Sequence, residues 1–278
     1  LIEGALTAGG SPTLYGTVSA NDPNKYFFSK TKYNSAALPS ASTITGNVTF
    51  NNAASTSNVQ KNILIGSVLS VKTNNNEIVD KYDYDPDEYA KMVAAGTIKE
   101  YDIPALLTIT GDLTLQKSGV EFKDKSYLEV SGAVSVTGES SVSGVINMKA
   151  TSFDVKSGGV LSLKADSVSL DGKIGVESGG VLKLAASEED GEASVKLTQG
   201  ASNAGTFEIG DSTGKSKTTL TLADETAFTN TGSLIVNENS YLDGRVNYSD
   251  GTTVGTISGA GTIRDLYVNK NAAMTDIF

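Results

Sequence analysis

The stretch ITGNVTF at residues 44–50 returns as ITGDLTL at residues 109–115, 65 positions further along the chain. Both copies place a Gly and a polar residue before an apolar-Thr-apolar strand. Side chains alternate between the two faces of a β-strand, so both apolar residues of each copy share one face. We therefore expect the two copies to occupy equivalent rungs of one repeating structure.

Apolar pairs two positions apart recur along the chain at nearly constant intervals. The regular pairs are Val48/Phe50, Leu69/Val71, Leu113/Leu115, Val134/Val136, Phe153/Val155 and Ile174/Val176. The steps between them are 21, 44, 21, 19 and 21 residues, and the outlier equals one step of 21 plus an excess of 23. The spacing then loosens, with further pairs at Phe207/Ile209, Leu234/Val236 and Leu266/Val268.

Each repeat also carries further strands. VKSGGVLSLK at residues 155–164 matches VESGGVLKLA at residues 176–185, again 21 positions apart. Three short strands in about 20 residues, separated by turn residues, are typical of one coil of a solenoid. The sequence thus predicts an all-β protein, a parallel β-helix (β-solenoid) with about 20–21 residues per coil. An antiparallel β-sandwich is the alternative, because it also uses short, regularly spaced strands.

The composition excludes several classes of function. The chain of 278 residues has no Cys, no His and a net charge of −10, so disulfides are absent and nucleic acid would be repelled. No apolar run approaches the roughly 20 residues of a membrane-spanning helix, so we expect no transmembrane segment. Carboxylates are scattered and only two Arg are present, so no catalytic residues are assigned and we expect a protein that is not an enzyme.

An insert at residues 74–104 breaks the repeat. Asp85 precedes Pro86, and Glu88 follows three residues after Asp85, a pattern typical of a helix N-terminus. Tyr89, Met92 and Val93 would share one face of this helix, and Gly96 would end it.

The insert also supplies the candidate binding residues. Four Tyr residues concentrate there, namely Tyr82, Tyr84, Tyr89 and Tyr101, and they suit contact with a partner protein or glycan. The other interpretation is a helix that packs on the flank of the solenoid. Asp83, Asp85 and Asp87 could together bind Ca²⁺, although Asp85 is better explained as a helix cap. Apart from this Ca²⁺, we expect no cofactor.

The two ends of the chain differ from the repeats. Residues 1–40 are rich in aromatic residues, and we interpret them as a cap over the first coil or a docking segment for a neighbouring subunit. The solenoid would then occupy residues 41–278. The final AAMTDIF at residues 272–278 is apolar and could join a neighbouring copy.

The SGGVL(S/K)L units, the ITGDLTL strand and the closing GTISGAGTIRDLYVNKNA at residues 255–272 resemble the passenger domains of bacterial autotransporters and related β-helical surface adhesins. This resemblance implies a right-handed β-helix displayed outside the cell. It also implies a role in adhesion, aggregation or the presentation of loops.

Together these observations predict an extracellular or bacterial cell-surface protein that acts as an adhesin or structural scaffold. Its partners would be a protein or glycan on a host or neighbouring cell. Alternatively, the chain would be a self-assembling subunit of a filament or surface layer, with copies of itself as partners.

Overall fold

Short strands dominate the protein. The computed structural model describes residues 5–9, 14–15, 41–51, 63–75, 77–79, 83–223, 226–247 and 255–267, which form 25 strands and one helix. The elements are β1 (Ala5–Gly9), β2 (Leu14–Tyr15), β3 (Ala41–Ile44), β4 (Asn47–Asn51), β5 (Ile63–Ile65), β6 (Ser67–Lys72), β7 (Ile78–Val79), α1 (Pro86–Ala94), β8 (Ile98–Ile103), β9 (Leu106–Ile109), β10 (Leu113–Gln116), β11 (Gly119–Phe122), β12 (Tyr127–Val130), β13 (Val134–Val136), β14 (Glu139–Val155), β15 (Val160–Val176), β16 (Val181–Ala185), β17 (Glu192–Leu197), β18 (Ala201–Asn203), β19 (Thr206–Ile209), β20 (Lys217–Leu222), β21 (Ala227–Asn230), β22 (Ser233–Val236), β23 (Tyr241–Asn247), β24 (Thr256–Ser258) and β25 (Thr262–Tyr267).

The strands stack as the coils of a parallel β-solenoid of about seven turns. Each coil contributes to three faces, which we name by one stacked series each: face A by β4, β10 and β13, face B by β5 and β11, and face C by β3, β9 and β12. The long strands β14 and β15 bend through all three faces. Because neighbouring coils pair in parallel, the predicted solenoid is confirmed and the antiparallel sandwich is wrong.

The two copies of the repeated stretch are adjacent rungs. Val48 pairs with Leu113 on face A, and Ile44 pairs with Ile109 on face C. No coil therefore lies between them, although the sequence pattern placed one there through Leu69/Val71. Leu69 instead lies in β6, which pairs antiparallel with β8 in a separate small sheet.

Coil length changes along the stack. On face A, Phe153 pairs with Ile174 after 21 residues, Ile174 with Ala201 after 27, and Ala201 with Phe228 after 27. The extra residues lie in the turns at 186–191 and 210–216, between faces B and C. The predicted spacing of 20–21 residues thus describes the middle coils, and the loose spacing that follows reflects longer turns within the same stack.

Inward-facing side chains fill the shaft continuously. One apolar cluster runs from Ile44 to Val246, and it includes Phe207 and Phe228, whose rings meet edge to face with centroids 4.8 Å apart. Each fully buried aliphatic or aromatic side chain stabilises the fold by roughly 1.5–3 kcal/mol. The hydrophobic core is therefore the main source of stability of the solenoid.

A short polar ladder interrupts the apolar core at one corner of face A. Val176 is followed one coil later by Asn203 and then by Asn230, both buried. Asn203 Nδ2 donates to Asn230 Oδ1 at 2.7 Å, and Asn230 Nδ2 donates to the carbonyl oxygen of Thr256 at 3.0 Å. Because these side-chain amides form hydrogen bonds to the next coil, they are buried with hydrogen-bond partners.

The N-terminal end of the stack is lined by two antiparallel strands. β1 pairs with β4, and β2 pairs with β3, so the outer edges of the first rungs of faces A and C carry backbone partners. The remainder of residues 1–40, as well as residues 268–278 with the apolar AAMTDIF segment and Val268, lies outside the described residues.

Candidate interaction surface

Residues 67–103 form a small folded unit on the side of the solenoid, which we call the insert unit. Its sheet has the order β7–β6–β8 with antiparallel neighbours, and α1 lies in the connection between β7 and β8. The unit therefore starts at β6, earlier than the 74–104 segment marked by composition. Val71 and Ile98 are buried, and of the side chains in the unit that the structure describes, none belongs to the buried cluster of the shaft.

Helix α1 begins where the sequence predicts. The Asp85 side chain accepts hydrogen bonds from the backbone N–H of Asp87 at 3.0 Å and of Glu88 at 3.3 Å. Pro86 occupies the first turn, where no backbone donor is required. The predicted N-cap is confirmed.

The helix also ends where the sequence predicts. Gly96 adopts a φ of 70°, and its N–H donates to the carbonyl oxygen of Val93 at 2.9 Å. The N–H of Thr97 donates to the carbonyl oxygen of Met92 at 2.9 Å. These two bonds define a Schellman motif, in which glycine adopts the left-handed conformation at little cost.

No helix in the described part of the chain is long and apolar enough to cross a membrane.

Tyr89 ties the helix to the sheet of the insert unit. Its hydroxyl lies 2.5 Å from Ser70 Oγ of β6 and donates to Glu100 Oε1 of β8 at 2.8 Å. The Tyr84 ring lies 6.1 Å from the Tyr89 ring. Met92 and Val93 on the same helix face are half-buried. Tyr89 is thus committed to internal packing of the unit.

Tyr101 lies on the other face of the small sheet. It alternates with Glu100 along β8, so it points away from the side that contacts the helix. The Lys99 Nζ lies 5.3 Å from the centroid of the Tyr101 ring, within the range of a cation–π contact. The structure therefore brings Tyr84 and Tyr89 together but places Tyr101 on the opposite face of the sheet, and Tyr82 lies outside the described residues.

The acidic residues of the insert unit do not converge. Asp83, Asp85 and Asp87 are exposed, and one oxygen of Asp85 already caps the helix. Within the residues that the structure describes, no group of three or more acidic side chains is placed to hold a metal ion. The predicted Ca²⁺ ligands therefore remain separate side chains in this structure.

Both connections of the insert unit are fixed to one turn of the next coil, residues 123–127. On the first connection, the carbonyl oxygen of Ile65 accepts from the N–H of Lys123 at 3.0 Å. On the second, the N–H of Ala105 donates to Ser126 Oγ at 3.1 Å, and the N–H of Tyr127 donates to the Ala105 carbonyl oxygen at 2.8 Å. The unit is thus held at its base by three residues of a turn and its flanking strand, namely Lys123, Ser126 and Tyr127.

Lys123 adds an electrostatic link between the solenoid and the insert unit. Its Nζ lies 2.7 Å from Glu121 Oε1 of β11 and 3.9 Å from Asp102 Oδ1 of β8. Partial burial opposes the charge of Lys123, but the hydrogen bond with Glu121 and the charges of Glu121, Asp102 and Glu100 leave its pKa raised. Lys123 therefore stays protonated near neutral pH and contacts both bodies at once.

We predict that Ser126→Ala loosens the insert unit without unfolding the solenoid. Ser126 is fully buried, and its removal leaves the N–H of Ala105 without an acceptor, which costs about 1–3 kcal/mol. Hydrogen exchange of residues 98–107 should accelerate in the variant, while residues 160–200 exchange at the wild-type rate. Ser167→Ala, an exposed Ser on the solenoid, is the control. Equal protection of residues 98–107 in both variants would contradict the anchoring role.

The sequence pattern places Leu69/Val71, which belong to β6, in the stack, and it does not indicate the anchoring turn. A usable signal for β6 was present, because two strand-like runs, SVLSVK and IKEYDI, flank the helix and can pair with each other. For Lys123 and Ser126 no such signal existed, since polar residues are ordinary in a turn.

Ion pairs between neighbouring coils cover the outer faces of the solenoid. Lys149 Nζ lies 3.0 Å from Glu129 Oε1, and Lys156 Nζ lies 2.8 Å from Glu177 Oε1. Hydrogen bonds from Lys156 and from the backbone of Ser157 lower the pKa of Glu177. Exposed pairs of this kind contribute little to stability, because water screens their charges. Each of these pairs joins a carboxylate to a lysine one coil away.

The fold is that of a β-solenoid protein, and together with the family match that follows it supports a surface adhesin-like class. More particularly, residues 126–254, slightly less than half of the chain, match the family described as hyphally regulated cell wall protein N-terminal. No curated protein and no solved structure matches the chain.

The matched region covers the later coils and leaves out the insert unit. It starts at the turn before β12 and ends beyond β23. The match indicates a location at the cell surface or outside the cell. The match does not specifically support membership of the bacterial autotransporters, which the sequence resembles.

Proposed function

We propose that this protein is an extracellular, non-catalytic adhesin whose solenoid is a rigid scaffold and whose insert unit is the contact surface. One observation carries the proposal. The insert unit has its own sheet, helix and buried residues, yet both of its connections are fixed to residues 123–127. A separate unit held rigidly on a rod is suited to present a surface to a partner.

The family match favours the cell wall of a hypha-forming organism over the bacterial envelope that the resemblance implied. In such a wall the solenoid would hold the insert unit away from the polymer layer. Continuous backbone pairing along the stack supports a stiff rod, because each coil contacts its neighbours through all three faces.

The chemistry of the sheet face turned away from α1 suggests the class of partner, with Lys99 exposed and Tyr101 half-buried. Tyr101 presents an aromatic ring beside the Lys99 ammonium, and both lie on the face turned away from α1. Aromatic rings pack against the apolar faces of sugars or against apolar side chains, while hydroxyl and ammonium groups donate hydrogen bonds. A glycan or protein on the surface of a host or neighbouring cell fits this surface.

A binding assay with a double variant tests the proposal. Fluorescently labelled wild-type protein should bind intact yeast or epithelial cells, or an immobilised glycan array. Tyr101→Ala combined with Lys99→Ala should weaken that binding at least tenfold. The matched control is Lys173→Ala, which removes an exposed lysine from the solenoid. Equal binding by the double variant and the control would overturn the role of this face.

Light scattering separates the adhesin from the self-assembling subunit. We expect a monomer at micromolar concentration, because the N-terminal edges of faces A and C already have antiparallel partners in β1 and β2. Regular fibres or sheets in negative-stain images would favour the filament or surface layer instead.

A further inference from the structure

The stretch that reveals the repeat also contains an acceptor sequence for N-linked glycosylation. Asn47, Val48 and Thr49 form the Asn-x-Thr pattern, in which x is not Pro. A second match is Asn247, Tyr248 and Ser249. The pattern alone is common, so the surroundings of each Asn decide whether the folded solenoid can carry a glycan there.

Asn47 is exposed at the corner that leads into β4. Its Oδ1 accepts a hydrogen bond from the N–H of Asp112, one coil away, at 2.9 Å. Gly111 makes room for this contact, because a Cβ there would lie 2.3 Å from Asn47 Oδ1. The strand beside β4 on its other edge is β1, where Gly9 pairs with Asn47 and contributes no side chain.

The fold uses the oxygen of Asn47 and does not require its nitrogen. Asp112 performs the same task at the same corner of the next coil, where its Oδ1 accepts from the N–H of Ala133 at 2.9 Å. Asp112 has no amide nitrogen, so an oxygen acceptor is sufficient at this position. Asn47 Nδ2 makes no hydrogen bond among the described contacts, and an attached sugar would leave intact the hydrogen bond that Oδ1 accepts from the N–H of Asp112.

From this geometry we propose that Asn47 carries an N-linked glycan. The donor would be a lipid-diphosphate-linked oligosaccharide. Asn47 Nδ2 forms a bond to the anomeric carbon, the bond from that carbon to the diphosphate oxygen breaks, and the lipid diphosphate leaves while the amide loses one proton. The proposal rests on the extracellular location proposed above, because the donor is met on the secretory route.

Asn247 has different surroundings. It is half-buried at the end of β23, where its strand pairs with β21 on one side and β25 on the other. Its Oδ1 is buried and has no hydrogen-bond partner. The side chain amide therefore lies partly inside the stack, and we assign the glycan to Asn47 and not to Asn247.

Secretion of the full chain from yeast tests the assignment. The wild-type protein should show a mass above that of the polypeptide, and this excess should disappear after treatment with peptide-N-glycosidase. Asn47→Asp should secrete without the excess mass while it keeps the oxygen that accepts from Asp112. Thr49→Ala should lose the excess as well, whereas Asn247→Gln should retain all of it.

A wild-type chain of polypeptide mass, or excess mass that persists in Asn47→Asp, would overturn the assignment. The adhesin proposal is assayed separately, with unglycosylated protein made in bacteria. An absent glycan therefore leaves the binding result unaffected, and an absent binding activity leaves the mass measurement unaffected.

Discussion

Ile174→Asp is expected to abolish the native fold of the solenoid at room temperature. Ile174 is 1% exposed and stacks between Phe153 and Ala201 of the neighbouring coils on face A. A carboxylate placed there would lack a charged partner, and a buried, unpaired charge costs several kcal/mol even after relaxation. Because folded proteins are stable by only about 5–15 kcal/mol, one such group removes a large part of the margin.

The measurement is urea unfolding followed by circular dichroism, with Lys173→Asp as the control. Lys173 is the preceding residue of β15 and is exposed, so the same carboxylate there reaches water. We expect the control to unfold within about 0.5 kcal/mol of wild type, as surface substitutions usually do. Similar midpoints for the two variants would show that Ile174 does not face the shaft.

The architecture was predictable because a solenoid repeats a local pattern. Val134, Phe153 and Ile174 each begin an apolar-x-apolar pair, and the structure stacks them on adjacent coils of face A. Alternation of side chains and the 21-residue self-match were both visible in the chain. These two features determine which residues face the shaft, and neither depends on distant contacts.

The same local pattern explains the wrong assignment of Leu69/Val71. An apolar-x-apolar pair is equally compatible with a parallel rung and with an antiparallel strand of a small sheet. The partner of β6 decides between them, and that partner, β8, follows only after β7 and α1. The 21-residue spacing from Val48 was coincidental, since the true next rung on face A is Leu113.

Helix α1 and the anchoring turn show the limit of prediction from sequence in the insert unit. The caps at Asp85 and Gly96 are formed by residues within a few positions of the helix, so the sequence specified both ends. Ser126 acquires its role only when the coil brings it beside Ala105, 21 positions earlier. Side chains that act across coils cannot be distinguished from ordinary turn residues before the stack is known.

Removal of the insert unit as a whole, residues 67–103, is expected to leave the solenoid folded and to abolish binding. Ser67 and Ile103 pair directly in the antiparallel sheet, so their backbones are about 5 Å apart and two Gly residues can join Gly66 to Pro104. The buried cluster of the shaft contains Ile65 and Leu107 on either side, and it includes no side chain of the unit among those that the structure describes. The β-type circular dichroism and the thermal midpoint should therefore remain close to wild type.

Deletion of residues 76–102 is the matched comparison, because it removes β7 and most of β8 but keeps β6. That strand would lose both of its neighbours, and an unpaired strand edge promotes aggregation. We expect the longer deletion to be monomeric and inactive in binding, and the shorter one to aggregate. If the longer deletion unfolds instead, the insert unit is part of the core that the solenoid needs in order to fold. The solenoid would then not be an independent rod, and the insert unit would not be a removable contact surface.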